Sequence, residues 1–243
     1  SSRKGMIGLS AAGDLLWEQR SAARAFDWLL HEDRLIFSTI GESGSLWTAG
    51  ETGPVVVATV AGGHLASAGD QIYVYSELGV YRLDPKTLSV DLWYALPEGR
   101  LEQGSMVALP GGGLLLTHAD AHDKRLIALN ADGTLRWQRS YARSAFGHEH
   151  RLVVLDGRPY LVSHQRAAAL NEVSVFLVDV NRARLTQIFA TTGRHPRPDD
   201  TWVSVAAHGR LLLSIGSGLG GGSVVALDVR SALEAVLQAA NSR

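Results

Sequence analysis

The chain contains no cysteine. That removes disulfides, thiolate metal sites, a cysteine nucleophile and c-type haem attachment in one step. It leaves the compartment open, because a cysteine-free protein tolerates oxidising and reducing spaces alike. An excess of one charge sign is also lacking. The 23 basic and 24 acidic residues give a net charge of −1, and no run of Lys or Arg forms a stripe that could track phosphates. Nucleic acid is therefore not expected as a partner. No apolar run reaches the length of a membrane span, and no signal-peptide pattern opens at Ser1. No His-Glu-x-x-His and no Gly-x-Ser-x-Gly occurs. What is present is 46% hydrophobic residues, enough for a real core rather than a disordered chain.

The core-forming residues recur in a pattern. Residues 125–137 read as strand, tight turn and strand closing on Trp137, and residues 80–93 repeat the plan, closing on Trp93. Residues 6–17 give it again, ending at Trp17. Self-similarity at roughly 36 to 50 residues is the signature of a repeat architecture. Gly69-Asp70, Gly111-Gly112-Gly113, Asp156-Gly157 and His208-Gly209 punctuate the strands with residues that accept positive φ. Unbroken apolar runs at Leu114-Leu115-Leu116 and Leu211-Leu212-Leu213 suit strands buried on both faces.

The spacing predicts an all-β fold, a β-propeller of four-stranded antiparallel blades with strands A to D running outward. About six blades are expected, or part of a seven- or eight-bladed ring, in a single domain over 1–243. A strands are expected near 26–30, 65–68, 105–109, 151–155 and 202–206. Two ends break the pattern. Residues 4–20 supply only a C–D hairpin, and residues 231–240, rich in Ala, Leu, Glu and Gln, predict a short helix where a D strand is due. Leu233, Val236 and Leu237 fit one face of that helix. The first hairpin is expected to be completed by another chain or by an upstream segment, since an open edge invites aggregation.

The string Ala128-Leu129-Asn130-Ala131-Asp132-Gly133-Thr134-Leu135-Arg136-Trp137 resembles the quinoprotein (pyrroloquinoline-quinone-like) β-propeller repeat. So do Leu83-Asp84-Pro85-Lys86-Thr87 with Trp93, and Val225-Ala226-Leu227-Asp228 is similar to the C strand of that repeat. The resemblance implies that Trp17, Trp93 and Trp137 pack between blades. Quinone-using members have a larger ring, a calcium site and often a vicinal cysteine pair. Here cysteine is absent and the expected ring is too small, so the resemblance implies the non-enzymatic branch, scaffolds often found in the bacterial envelope or periplasm. No cofactor is expected.

Histidine placement is the feature beyond fold. Strand order sends B–C loops and D–A connections to one face, and seven of the nine His map there. His118 and His164 end B strands of adjacent blades, and Asp120, His122 and Asp123 come after His118. His148, Glu149 and His150 lie in the next D–A connection, with His64 and His195 in others. His31 and His208 fall opposite. The ligand or partner face is thus read as His118, Asp120, His122, His148, His150, His164 and His195, with no residue assigned a catalytic role. A divalent metal, if held, would use His118, His122 and His164, since imidazole suits zinc, manganese or iron. The Gly-rich loop 216–222 lacks the Lys-Ser/Thr ending of a phosphate loop and reads as a flexible connection. Residues 194–200 read as a stiff, solvated one. The expected function is a non-catalytic scaffold binding another protein through its loop face or open blade edge. The alternatives are a metal-dependent hydrolase or lactonase-like enzyme and a vestigial quinoprotein.

Overall fold

The computed structural model describes residues 5–10, 12–20, 24–32, 34–40, 44–50, 53–59, 63–76, 78–96, 105–119, 123–142, 149–166, 171–193, 201–206, 209–215 and 223–241. They fall into two compact units, 1–101 and 102–243.

The first unit opens on a two-stranded sheet of β1 (Gly5–Leu9) and β2 (Leu15–Arg20). The second sheet is β3 (Arg24–His31), β4 (Arg34–Ile40), β5 (Leu46–Gly50) and β6 (Gly53–Ala58). The third is β7 (Leu65–Ala68), β8 (Gln71–Ser76), β9 (Gly79–Leu83) and β10 (Val90–Ala95).

In the second unit, the fourth sheet holds β11 (Met106–Ala108), β12 (Leu114–Ala119), β13 (Asp123–Leu129) and β14 (Leu135–Ala142). The fifth holds β15 (Glu149–Leu155), β16 (Arg158–Arg166), β17 (Asn171–Asp179) and β18 (Arg184–Gly193). The sixth has β19 (Thr201–Ala206), β20 (Arg210–Ile215) and β21 (Ser223–Asp228), and α1 (Val229–Asn241) comes directly after it. Every pairing among the described residues is antiparallel between chain neighbours, so each sheet is an up-and-down meander.

One local device sets the turn after the third strand. Asp84 accepts hydrogen bonds from the N–H groups of Lys86 and Thr87 at 2.7 and 3.1 Å. Asp179 does the same for Asn181 and Arg182 at 3.0 and 3.1 Å, and Asp228 for Arg230 and Ser231 at 3.1 Å each. A short acidic side chain satisfies the same donors in a turn or at a helix start. The next few residues decide between turn and helix. Asp84 and Asp179 lead into positive-φ residues, Leu88 and Ala183, and a return strand. Asp228 leads into Val-Arg-Ser-Ala-Leu-Glu, a stretch with good helix formers and no Gly, Pro, Asn or Asp, and the chain coils into α1.

Second strands carry the core. Ile72 to Ser76 and Leu114 to Ala119 are buried without alternation, as a strand covered on both faces must be. Leu115, Leu126 and Ala128 of the fourth sheet pack on Leu152, Leu161 and Val178 of the fifth. The other face of the fifth sheet, with Tyr160, Val162, Val173 and Val175, meets Leu211 and Leu213 of the sixth. In the first unit Ile36 and Leu46 pack on Leu65, Ile72, Val74 and Leu83. The α1 residues Val229, Ala232, Leu233 and Val236 close over the fifth and sixth sheets, whereas Leu237 stays 54% exposed.

Candidate interaction site

Asp120, His122, His148 and His195 lie outside the described residues. His118, His150 and His164 are described, and all three are buried, at 1%, 6% and 2% exposure. The register directs them apart. His118 alternates with Leu115 and Thr117 along β12, so it lies on the face turned away from the fifth sheet. His150 shares a face with Leu152 and so looks toward the fourth sheet. His164 shares a face with Tyr160 and Val162 and looks toward the sixth.

The strand ends misplace the equivalence by one residue. Ala128 and Val175 both sit where the pairing with the fourth strand shifts, and they pair with Leu115 and Val162. Thr117, not His118, therefore corresponds to His164. A one-residue slip in a strand moves a side chain to the opposite face. Among the described residues no three His, Asp or Glu side chains gather as a metal site.

Charge is buried as well. Lys124, paired across from Ala119, is 5% exposed on the face of the fourth sheet that meets the fifth. On the facing side the Ser174 hydroxyl donates to the Glu172 carboxylate at 2.7 Å, and Gln187 donates to Ser174 at 3.3 Å. This is a polar layer between two sheets.

A second polar feature recurs in both units. The Asp27 carboxylate accepts the Leu65 N–H at 2.9 Å, tying β3 to β7 of the next sheet. The Ser105 hydroxyl accepts the Leu152 N–H at 2.8 Å, tying the fourth sheet to the fifth in the same way. His64 stands beside Asp27, with Nδ1 3.4 Å from the carboxylate. Burial alone would raise the Asp27 carboxyl. The hydrogen bond from His64, the Leu65 and Trp28 N–H groups and the imidazole charge outweigh burial and hold it below the usual carboxylate value. Neither clasp leaves a mark in the sequence pattern.

The tryptophans bind neighbouring sheets or their own. Trp17 donates its indole N–H to the Gly50 carbonyl at 3.1 Å, and its ring lies against Gly53 of the second sheet. Trp137 donates to the Val180 carbonyl at 2.6 Å, across from the fourth sheet to the fifth. Trp93 tilts against Tyr73 of its own sheet, with ring centroids 4.8 Å apart.

The first sheet holds two described strands. Four sheets have four strands each, while β1 and β2 stand as a pair among the described residues. Trp28 and Leu30, on the face of β3 opposite Leu29, are 68% and 67% exposed. Ile7 and Leu15 are 60% exposed each. Elsewhere, α1 and the fifth sheet border a cleft of about 490 Å³ with Tyr160 and Leu233 in its wall and Arg158, Arg230 and Glu234 at its rim.

Repeated four-stranded meanders joined face to face, with an indole bridging from fourth strand to next sheet, define a quinoprotein-like β-propeller. The chain belongs to the family described as outer membrane protein assembly factor BamB, whose model matches residues 3–233. No curated protein matches it. Among solved structures it is similar to hydrazine synthase of Kuenenia stuttgartiensis, with a TM-score of 0.65 at 12% identity, over 94% of this chain and 72% of that one. It is similar to TolB of Acinetobacter baumannii, with a TM-score of 0.53 at 13% identity, over 93% of this chain and 58% of that one. It is also similar to the Dos1 propeller, with a TM-score of 0.55 at 10% identity, over 90% of this chain and 63% of that one. The chain thus spans less than two thirds of the last two proteins. At these identities the likeness is one of fold. Among the described residues no helix is long and apolar enough to cross a membrane.

Proposed function

We propose that this chain is a non-catalytic scaffold that binds another protein, with its two units forming one propeller domain of the bacterial envelope. The observation that carries this reading is a set of large apolar side chains standing in solvent among the described residues, Ile7, Leu15, Trp28 and Leu30. Exposed apolar surface of this kind marks protein contacts. The family description, an assembly factor for outer membrane proteins, supports both a protein partner and the envelope. The histidines favour the same reading. His150 and His164 lie on opposite faces of the fifth sheet, and His118 lies on the face of the fourth sheet turned away from the fifth, which suits packing better than convergence on one substrate.

The test pairs two measurements on the purified protein and in cells. Photo-crosslinking groups placed at exposed positions of the first sheet and of the strand-connecting loops are expected to capture a protein in living cells. A panel of esters and lactones is expected to stay intact. Turnover that disappears in a His118→Asn, His164→Asn variant of unchanged Tm would overturn the scaffold reading.

A further inference from the structure

Resting on that reading, we propose that the outer groove between the second and third sheets takes an aromatic side chain of a partner protein. It is the place where the other joints between sheets carry an aromatic ring of the chain's own.

Register shows where the ring is missing. The outermost strands β2, β6, β10, β14 and β18 each skip one residue in their pairing: Leu16, Val57, Trp93, Arg136 and Ile188. A bulge of this kind re-aims the side chain after it. The next residues are Trp17, Ala58, Tyr94, Trp137 and Phe189. Trp17 reaches the second sheet, Trp137 reaches the fifth, and Phe189 packs toward the sixth. Tyr94 lies on the face of the third sheet turned away from the second. Ala58 pairs with Leu46 and faces the third sheet in the same sense. The second sheet therefore offers a methyl group where four others offer a ring.

The walls of this joint are apolar and open to water. Val55 lies on the face of β6 toward the third sheet, in line with Thr48 and Ile36, and is 56% exposed. Leu92 lies on the face of β10 toward the second sheet, in line with Tyr81 and Val74, and is 53% exposed. Tyr81 and Val90, on the same face of the third sheet, are only partly buried. The stretches flanking β6 bring no ring of their own: residues 51–52 are Glu-Thr, and 59–63 are Thr-Val-Ala-Gly-Gly.

The joint also holds without a ring. Pro85 and Val180 are equivalent, each following a turn aspartate, Asp84 or Asp179. Trp137 donates its indole N–H to the Val180 carbonyl, whereas the Pro85 carbonyl accepts from the Arg34 guanidinium at 3.3 Å. A guanidinium from β4 thus ties the second sheet to the third, and the space of the indole is left free. Aromatic side chains are frequent anchors of protein interfaces, because one ring buries a large area at small entropic cost. The occupant that fits is the ring the repeat omits here, presented by a partner.

The probe is the peptide Gly-Gly-Trp-Gly-Gly, capped at both ends, titrated into the full chain and followed by the methyl resonances of Val55 and Leu92. Saturable shifts with a Kd of roughly 1 mM are expected for a single anchoring side chain. The same peptide with leucine in place of tryptophan should bind at least about fivefold more weakly. Leu92→Glu should keep its Tm, since the side chain is exposed, and weaken binding by at least about tenfold. Val224→Glu, at a 69% exposed site on β21, should bind as the wild type does. Ala58→Trp returns a ring to the chain and should abolish binding. If that variant does not fold, as read by circular dichroism, Leu92→Glu carries the test.

No saturable shift up to about 10 mM peptide would overturn the proposal. So would equal affinity for the leucine peptide, or the same affinity in Leu92→Glu and wild type. Any of these leaves the scaffold reading and its crosslinking test standing. Histidine-dependent turnover removes the scaffold reading without touching the titration.

Discussion

The two clasps between sheets offer a controlled comparison. In one, the acceptor for a leucine N–H is a carboxylate, Asp27 to Leu65; in the other it is a hydroxyl, Ser105 to Leu152. Asp27→Ala removes a hydrogen bond to a charged group, about 1.5–3 kcal/mol in a shielded site. The Asp27 side chain is 32% exposed, and solvent screening lowers the expected loss to about 1–2 kcal/mol. That corresponds to a fall in Tm of roughly 2–8 °C for a chain of this size. Ser105 is only 7% exposed, so Ser105→Ala leaves the Leu152 N–H buried without its acceptor, a loss of about 1–3 kcal/mol.

The pH dependence separates the two. The folded Asp27 carboxyl lies below its ordinary value of 3.8. Its contribution is therefore complete above that value and lost as pH falls through the lower, folded one. Urea unfolding of wild type and Asp27→Ala should differ fully at about pH 7 and converge as pH falls through the lowered, folded value. The gap for Ser105→Ala should stay constant over the same range. Asp27→Asn, which keeps an acceptor, should show a smaller gap that does not change with pH. An Asp27→Ala gap that persists unchanged in acid would refute the assignment of a charged clasp.

The same geometry carries other expected outcomes. Leu115→Ala opens a cavity between the fourth and fifth sheets and should cost about 2–5 kcal/mol in denaturant unfolding at unchanged slope. In Gly63→Ala the new Cβ meets the Tyr75 carbonyl, so a loss of more than about 3 kcal/mol or failure to fold is expected by circular dichroism, and wild-type stability would refute it. Asp228→Ala frees the Arg230 and Ser231 N–H groups, so amide exchange should quicken at 229–233 and stay unchanged in β20. Trp137→Phe loses the bond to Val180, about 1 kcal/mol, and should expose the fourth-to-fifth sheet contact to urea first.

Strand order was legible because turns and apolar runs speak locally. Gly69-Asp70 and Asp156-Gly157 do connect first and second strands, and the helix does replace the last fourth strand. The side chains' directions were not legible. β16 runs on to Arg166 and β12 to Ala119, so reading His118 and His164 as strand ends shifted one by a residue against the other. Lys124 carries no local signal of burial, which comes from the fifth sheet packing on its face of the fourth. The clasps were invisible because they join a side chain to a main-chain N–H about 40 residues away, and a main-chain donor is the same at every residue but proline. Trp28 and Leu30 did carry a signal, two apolar residues two apart in a first strand, but it is the same signal that buried strands give.

The clasp has a consequence for how such a chain can change over time. Its donor is a peptide N–H, present whatever residue stands there except proline. Its acceptor needs only an oxygen at the right reach, and one chain already uses both a carboxylate and a hydroxyl. Substitution at the acceptor can therefore wander among Asp, Ser and their like while the joint between sheets is kept. A fold stitched by joints of this kind can keep its shape down to 12% identity with a relative, with little of its spelling left in common.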